Sequence, residues 1–153
     1  MSETSVVNTA FAGRSYPPSG PYAVSAAQIA AFADAVGSHD PVHHDAEAAR
    51  AAGYPDVIAP PTFAVTIAQQ CDRAYIVDPE AGIDYSRVVH GEQRFLHHRP
   101  ITAGDELTGE LTIDTIRMAG GHAMISTRTE LTAEGEPVCT ATSTIVVRGG
   151  EDT

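Results

Sequence analysis

The pattern of hydrophobic positions changes once along the chain, from a helical period to strict alternation. Apolar residues recur at helical spacing between an N-cap candidate, Ser25, and Gly37, which predicts a first helix. A second, shorter helix is predicted between Asp45 and Gly53. The third helical pattern is TFAVTIAQQCDRAYIV (62–77), which two prolines precede. Because this segment is apolar over most of its girth, it predicts a buried core helix.

Beyond residue 88 the apolar residues alternate with polar ones, as they do in half-buried strands. Turn residues such as the Gly pair at 120–121 separate the alternating segments, which predicts strands joined by hairpins and a mostly antiparallel sheet. Helices come first and strands follow, so the order favours an α+β layer architecture over alternating βαβ units. The four predicted strands lie within 88–98, 106–118, 122–132 and 137–148.

The chain length predicts one folded domain with short extensions. With 153 residues and 42% hydrophobic residues, the chain is long enough to bury a sizeable core. Residues 1–20 are polar and then rich in proline, which predicts a flexible N-terminal arm. We therefore predict a single domain over 21–149 and a C-terminal tail at 150–153.

The charge balance excludes several classes of function. Nine basic residues against twenty acidic ones give a net charge of −11, and all nine basic residues are arginine. Without lysine, the chain has no Schiff-base lysine, no Ser-Lys nucleophile pair and no Walker A loop. An acidic chain also argues against nonspecific nucleic-acid binding, which requires a basic field.

Cysteine content and hydropathy indicate a cytoplasmic protein. Cys71 and Cys139 are far apart in the sequence and form no CxxC pair, so we expect a reducing compartment. No segment approaches the ~20 apolar residues of a membrane span, and the first residues do not read as a signal peptide. We therefore expect no membrane association.

A seven-residue motif carries a resemblance to a known family. Gly-Ser-His-Asp-Pro-Val-His (37–43) resembles the hydratase motif Gly-Asp-x-Asn-Pro-x-His of the MaoC-like (R)-specific enoyl-thioester hydratases and dehydratases. The segments VIAPPTF (57–63), HGEQRF (90–95) and RPITAGDEL (99–107) look most like the FAS1-type dehydratase subgroup, with its HadA-like and HadC-like subunits. The resemblance, over about residues 22–148, implies a hot-dog fold: an α+β fold in which an antiparallel sheet wraps around a long central helix.

Carrying the motif over residue by residue assigns candidate catalytic residues. His43 takes the place of the family's catalytic histidine, and Asp40 takes the asparagine place. Ser38 stands where the family has its catalytic aspartate. The resemblance thus implies His43 as general acid and base, with Ser38 and Asp40 as groups that position water. Since serine does not accept a proton at neutral pH as a carboxylate does, His43 would have to perform both proton transfers. The alternative is that Asp40 or Asp45 supplies the missing carboxylate from a shifted position.

The family resemblance also implies an oxyanion hole at the entry of the central helix. A helix start offers free N–H groups and a favourable dipole for a thioester oxygen that gains negative charge. Pro60 and Pro61 have no N–H, so Thr62 and Phe63 are the nearest donors.

Three residues near the predicted sheet, His90, Arg94 and Arg99, are candidates for substrate binding. His90 shares one face of a strand with Glu92, where the two line a pocket or form a cross-strand polar pair. Arg94 and Arg99 are candidates for binding a phosphate of coenzyme A or phosphopantetheine. Either arginine can instead pair with one of the twenty carboxylates.

Three functions are compatible with these residues. The first is a hydro-lyase that interconverts trans-2-enoyl and (R)-3-hydroxyacyl thioesters of coenzyme A or an acyl-carrier protein by syn hydration. The second is a non-catalytic, HadA-like partner subunit of a heterodimeric dehydratase, which Ser38 and the two prolines at the helix entry favour. The third is a hot-dog thioesterase, ranked last because the Pro-x-His loop has no role in it; its polar candidates on the central helix are Gln69, Gln70 and Asp72.

The expected partners are an acyl-thioester substrate and another hot-dog chain. A curved sheet around one helix leaves an exposed edge, which edge-to-edge pairing covers. We expect a homodimer, with a heterodimer containing a catalytic hot-dog subunit as the alternative. No cofactor is expected. No metal site is expected either, because the seven histidines lack HExxH, CxxC and His-x-His spacing.

Overall fold

Three α-helices and then four β-strands follow in the order that the hydrophobic pattern predicts, and one short strand precedes them, in a computed structural model that describes residues 6–149. The predicted C-terminal tail, 150–153, and residues 1–5 lie outside the described residues. The helices are α1 (Ala26–Ala35), α2 (Ala46–Ala51) and α3 (Ala64–Ile76). The strands are β1 (Ser19–Ala23), β2 (Val88–His97), β3 (Glu106–Ala119), β4 (His122–Ala133) and β5 (Glu136–Val147).

Local side-chain caps fix where the first two helices begin. Ser25 and Gln28 form a capping box: the Ser25 side chain accepts from the Gln28 N–H, and the Gln28 side chain accepts from the Ser25 N–H. The Asp45 carboxylate accepts from the N–H of Glu47 at the start of α2. Gly37 and Gly53, which follow the two helices, both adopt a positive φ, the conformation that glycine tolerates best.

The five strands form one antiparallel sheet in the order β1-β3-β4-β5-β2. Burial alternates residue by residue along β4 and through most of β5, so one face of the sheet is packed on the core. Strand β2 lies at one edge and the short β1 at the other. This is the predicted α+β hot-dog architecture, which the structure confirms.

The buried face of α3 packs against β3, β4 and β5, and Tyr75 near its C-terminus is fully buried. At one point the helix and the sheet approach so closely that only glycine fits. A Cβ atom on Gly109 of β3 would overlap the Sγ atom of Cys71. The predicted core helix is therefore confirmed, and its distance from the sheet is set by this glycine.

The first described residues also pack on the sheet. Phe11 is buried, and the N–H of Gly13 donates to the carbonyl of Ile113 over 2.7 Å. Strand β1 pairs with β3 although Gly20 and Pro21 lie within it. The hydrophobic pattern does not predict β1, because proline and glycine are depleted in strands and are tolerated mainly at a sheet edge, where β1 lies.

Candidate active site

His43 lies at the end of a short 3-10 turn, Pro41–His43, between α1 and α2. The Asp40 carboxylate caps this turn by accepting from the N–H of Val42 over 3.1 Å. Pro41 occupies the first position, where the missing N–H costs no hydrogen bond. The local sequence Asp-Pro-Val-His thus forms a capped turn that carries the imidazole into the protein, where only 7% of His43 is exposed.

The imidazole of His43 is held by the backbone of the segment that leads to α3. Its Nδ1 atom lies 2.6 Å from the carbonyl oxygen of Ile58, and the Ile58 N–H donates back to the Val42 carbonyl over 3.0 Å. A carbonyl oxygen only accepts hydrogen bonds, so Nδ1 carries the hydrogen. In the neutral ring, Nε2 therefore holds the free lone pair and is the atom able to accept a proton.

The other two predicted catalytic residues, Ser38 and Asp40, are not hydrogen-bonded to this ring. Within residues 6–149, no hydrogen bond joins His43 to the Ser38 hydroxyl or to the Asp40 carboxylate. Ser38 is half-buried, and its backbone carbonyl lies 3.3 Å from Nε2 of His44. Asp40 is exposed and engaged in capping. The structure thus holds His43 without placing a carboxylate beside it.

The segment between His43 and α3 is pinned to the turn that follows β2. Ile58 forms an isolated antiparallel bridge with Thr102, and the Ala59 N–H donates to the Ile101 carbonyl over 2.7 Å. These bonds fix the backbone just before the entry of α3. The local order of this segment therefore determines both the orientation of His43 and the position of the predicted oxyanion donors.

The entry of α3 begins as a 3-10 turn, Pro61–Phe63. Within it, the Phe63 N–H already donates to the Pro60 carbonyl over 2.9 Å. Thr62 is exposed. Its N–H lies before the first donor of the turn and therefore has no acceptor within the turn. Of the two predicted donors, Thr62 is therefore the one whose N–H is left for a ligand.

Strand β2 contributes a histidine that the sequence analysis did not select. Nε2 of His97 lies 2.7 Å from the carbonyl oxygen of Pro61, so it donates to the helix-entry turn. Its Nδ1 atom is buried without a hydrogen-bond partner among the described residues. The alternation along the strand could have indicated that His97 faces inward, because it follows Gln93 and Phe95 on the more buried face.

Two cavities open along α3. The larger, of about 960 Å³, lies between α3, the segment around Tyr85, and strands β2 and β5. The smaller, of about 290 Å³, lies between the entry of α3 and β1. Thr66 and Gln70 line both cavities, and Phe63 lines the smaller one. His43 lines neither of them in the single chain.

Asp72 is a buried carboxyl group in the wall of the larger cavity. Only 9% of it is exposed, and the Thr127 hydroxyl donates to its Oδ1 over a long 3.4 Å. Burial raises the pKa of Asp72 to about 6, although the Thr127 hydrogen bond and the nearby His90 counteract part of this effect. In the sequence, Asp72 is a candidate only for a thioesterase, because its helical spacing next to Cys71 does not indicate that it is buried.

The remaining predicted binding residues differ in how strongly their side chains are already bound within the protein. His90 is exposed, lines the larger cavity and places Nε2 3.0 Å from the Glu92 carbonyl. Arg94 forms an ion pair with Glu92, and 75% of its side chain is exposed. Arg99 makes two hydrogen bonds to Asp105, of 2.9 and 3.0 Å. Arg99 is thus bound within its own turn, whereas Arg94 is free to reorient.

No three His, Cys, Asp or Glu side chains come together in a way that could hold a metal ion within residues 6–149. Among the described helices, none is long and apolar enough to cross a membrane.

Comparison with known proteins places this arrangement in a family. Residues 10–141 match the family described as "FAS1-like, dehydratase domain region". A UPF0336 protein of Saccharopolyspora erythraea is 52% identical over 144 residues, which cover 94% of this chain and 92% of that protein.

Two solved structures share the fold. One is titled a MaoC-like dehydratase; it is 34% identical with a TM-score of 0.84, and the alignment covers 92% of this chain and 43% of that one. The other is one chain of the HadBC (3R-hydroxyacyl-ACP dehydratase) complex of Mycobacterium tuberculosis. It is 29% identical with a TM-score of 0.80, and the alignment covers 89% of this chain and 96% of that chain. The chain belongs to the MaoC-like, FAS1-type dehydratase family.

Proposed function

We propose that this chain is a hydro-lyase that interconverts trans-2-enoyl and (R)-3-hydroxyacyl thioesters by syn addition and removal of water. The observation that carries the proposal is the hydrogen bond from His43 Nδ1 to the Ile58 carbonyl. It directs the lone pair of a buried imidazole away from the backbone and leaves Nε2 available for proton transfer. The membership of the chain in a dehydratase family also supports a hydration or dehydration reaction.

In the hydration direction, we propose that one proton passes from water to His43 and then to the substrate. Nε2 of His43 accepts a proton from water while the water oxygen attacks carbon 3 of the enoyl group. The electron pair of the double bond shifts towards the thioester carbonyl, and the resulting enolate oxygen accepts a hydrogen bond from the Thr62 N–H. The imidazolium then donates the proton to carbon 2, which completes the addition. Ser38 and Asp40 are proposed to orient the water and are not assigned a proton transfer.

The carrier is proposed to be a coenzyme A thioester, with an acyl-carrier protein as the second possibility. An acidic carrier protein gains no electrostatic steering from a chain of net charge −11. Arg94, which is exposed on β2, is the proposed contact for a phosphate group of the carrier. Both cysteines are free and buried, which supports a reducing, cytoplasmic location.

A dimer is proposed to complete the site. Strand β2 has a neighbour on one side only within the described sheet, and it exposes Val89 and Leu96. Pairing this edge with a second hot-dog chain would satisfy the free backbone groups and cover both apolar side chains. A second copy of this chain is the proposed partner.

The alternative, a partner subunit without its own activity, rests on two observations. Ser38 replaces the family's aspartate, and Asp40 is engaged in capping instead of contacting His43. In that case the partner would be a different hot-dog chain that supplies the carboxylate. The similarity to a chain of the HadBC complex is compatible with either arrangement.

Hydration of crotonyl-coenzyme A by the purified chain alone distinguishes these functions. Wild type, His43→Ala and His39→Ala are assayed together, the last because His39 is an exposed histidine of the same loop. Turnover that His43→Ala abolishes and His39→Ala retains supports the hydro-lyase. A folded dimer without turnover supports the partner subunit. Release of free thiol without loss of the double bond would instead identify a thioesterase.

A further inference from the structure

One stripe of α3 faces the larger cavity, apart from the face that packs on the sheet. Its members recur every three or four residues, as positions on one side of a helix must. The residues of this stripe are polar near the helix entry and apolar near its end. The stripe consists of Thr66, Gln69, Gln70, Arg73, Ile76 and Val77.

Asp72 borders this stripe and is the buried ionisable group in the described lining of the cavity. An ionised carboxylate has about four acceptor sites, and here one long hydrogen bond from Thr127 occupies only one of them. Among the described residues, no arginine or histidine lies within ion-pair distance of Asp72. The carboxylate is thus desolvated, and most of its hydrogen-bonding capacity is unused.

The larger cavity adjoins the smaller one at the entry of α3. Thr66 and Gln70 line both this cavity and the smaller one, which Phe63 lines at the helix entry. Asp72 follows Thr62 by ten residues, a distance of about 15 Å along a helix. Asp72 is therefore too remote from the proposed oxyanion donor to replace the missing catalytic carboxylate, but it lies within reach of the far end of an extended acyl chain.

We propose that the larger cavity binds the distal part of the acyl group and that Asp72 selects acyl chains that carry a hydroxyl group far from the thioester. This inference rests on the proposed function, because it presumes that an acyl thioester enters at the start of α3. The hydroxyl would donate to the Asp72 carboxylate, while Ile76, Ile83 and Val88 contact the methylene groups before it.

Other chain ends fit this wall less well. A methyl end would cover the carboxylate and leave it unpaired, and a site with an unpaired buried polar group discriminates strongly against the ligand that lacks the matching group. A carboxylate end would meet the like charge of Asp72. An ammonium end would meet the positive charge of Arg73, which lines the same cavity.

Equilibrium binding tests the proposal without requiring turnover. The ligands are dodecanoyl-coenzyme A and ω-hydroxydodecanoyl-coenzyme A, saturated thioesters that the hydro-lyase cannot hydrate. Titration calorimetry is performed on wild type, Asp72→Leu and Asp72→Asn, with Asp34→Asn as a control at an exposed carboxylate. Asp72→Asn retains a side chain of the same shape, so it remains informative if Asp72→Leu fails to fold.

We expect wild type and Asp34→Asn to bind the hydroxylated thioester at least about tenfold more tightly than dodecanoyl-coenzyme A. This difference corresponds to one hydrogen bond to a charged group. Asp72→Leu is expected to lose or reverse this preference, and Asp72→Asn to reduce it. Equal binding of both thioesters by wild type would overturn the role of Asp72 and leave the proposed function intact. Binding of neither thioester by a chain that still hydrates crotonyl-coenzyme A would overturn the acyl site in this cavity and leave the proposed function intact. Absence of both binding and hydration would overturn the two proposals together.

Discussion

The Nδ1 atom of His43 and the carbonyl oxygen of Ile58 lie 2.6 Å apart, although fifteen residues separate them in the sequence. This contact joins a capped turn to the segment that leads into the central helix. One backbone carbonyl thus orients the proposed base and belongs to the same pinned segment that positions the proposed oxyanion donor, Thr62. The geometry of these two proposed groups is therefore set by a single stretch of backbone.

Substitution of His43 by asparagine should separate proton transfer from structure. The amide of the introduced asparagine would occupy the place of Nδ1 and donate to Ile58, but an amide is far too weak a base to accept a proton from water. We expect His43→Asn to lose about 10²–10⁴-fold in hydration rate and to change the free energy of unfolding by less than about 1 kcal/mol. Urea unfolding and crotonyl-coenzyme A hydration measure the two effects.

His43→Ala provides the comparison for that variant. It removes the donor and leaves the Ile58 carbonyl unpaired, which should cost about 1–3 kcal/mol of stability in addition to the loss of activity. If His43→Asn kept the wild-type rate, His43 would not be the general base.

The packing of α3 on the sheet predicts a steric interaction between two residues. A Cβ atom on Gly109 would overlap Cys71 Sγ, and both residues lie in regular secondary structure with little freedom to shift. Gly109→Ala should therefore lower the free energy of unfolding by about 1–3 kcal/mol, the usual cost of overpacking. In a double-mutant cycle with Cys71→Ala, most of this cost should disappear, because the sulfur is gone. Additive effects would contradict the overlap.

The fold could be predicted from the sequence because its main signals are local. Ser25 and Asp45 cap the helices where the sequence places them, and the alternation after residue 88 gives four of the five strands. Strand β1 was missed because Pro21 and Gly20 mask a segment that is held by pairing with β3 rather than by its own propensity.

The candidate site could be predicted only in part, since its decisive contacts join distant segments. The motif singled out His43, but no pattern in the sequence indicates that the Ile58 carbonyl fixes its tautomer. The burial of Asp72 also depends on which side of α3 meets the sheet. Arg94 and Arg99 look alike in the sequence, and only the fold shows that Arg99 is bound to Asp105.

The two arginines should therefore respond differently to substitution. Arg99→Ala breaks a bidentate, partly buried pair, so it should lower the free energy of unfolding by about 1–3 kcal/mol. Arg94→Ala removes an exposed side chain and should change stability by less than about 0.5 kcal/mol. If Arg94 binds a phosphate, its removal should raise KM for crotonyl-coenzyme A with little effect on kcat. An unchanged KM in Arg94→Ala would remove Arg94 from the carrier site.

Asp72 should make the protein less stable as the pH rises. Burial raises its pKa to about 6 in the folded chain, whereas an aspartate in the unfolded chain has a pKa of about 3.9. The folded state therefore binds this proton more tightly, and ionisation of Asp72 costs about 3 kcal/mol of stability above pH 6 that is regained as the pH falls towards 4.

Asp72→Asn removes this ionisation and should reveal its cost. At pH 8 the variant should be about 2–3 kcal/mol more stable than wild type, and the difference should shrink through pH 6 and vanish near pH 4. Urea unfolding at these three pH values measures it, with Asp34→Asn as the exposed control. A pH-independent difference would show that the carboxylate is not desolvated. A confirmed cost would mean that the chain keeps a destabilising carboxylate in a cavity wall, as expected if Asp72 serves a ligand and not the fold.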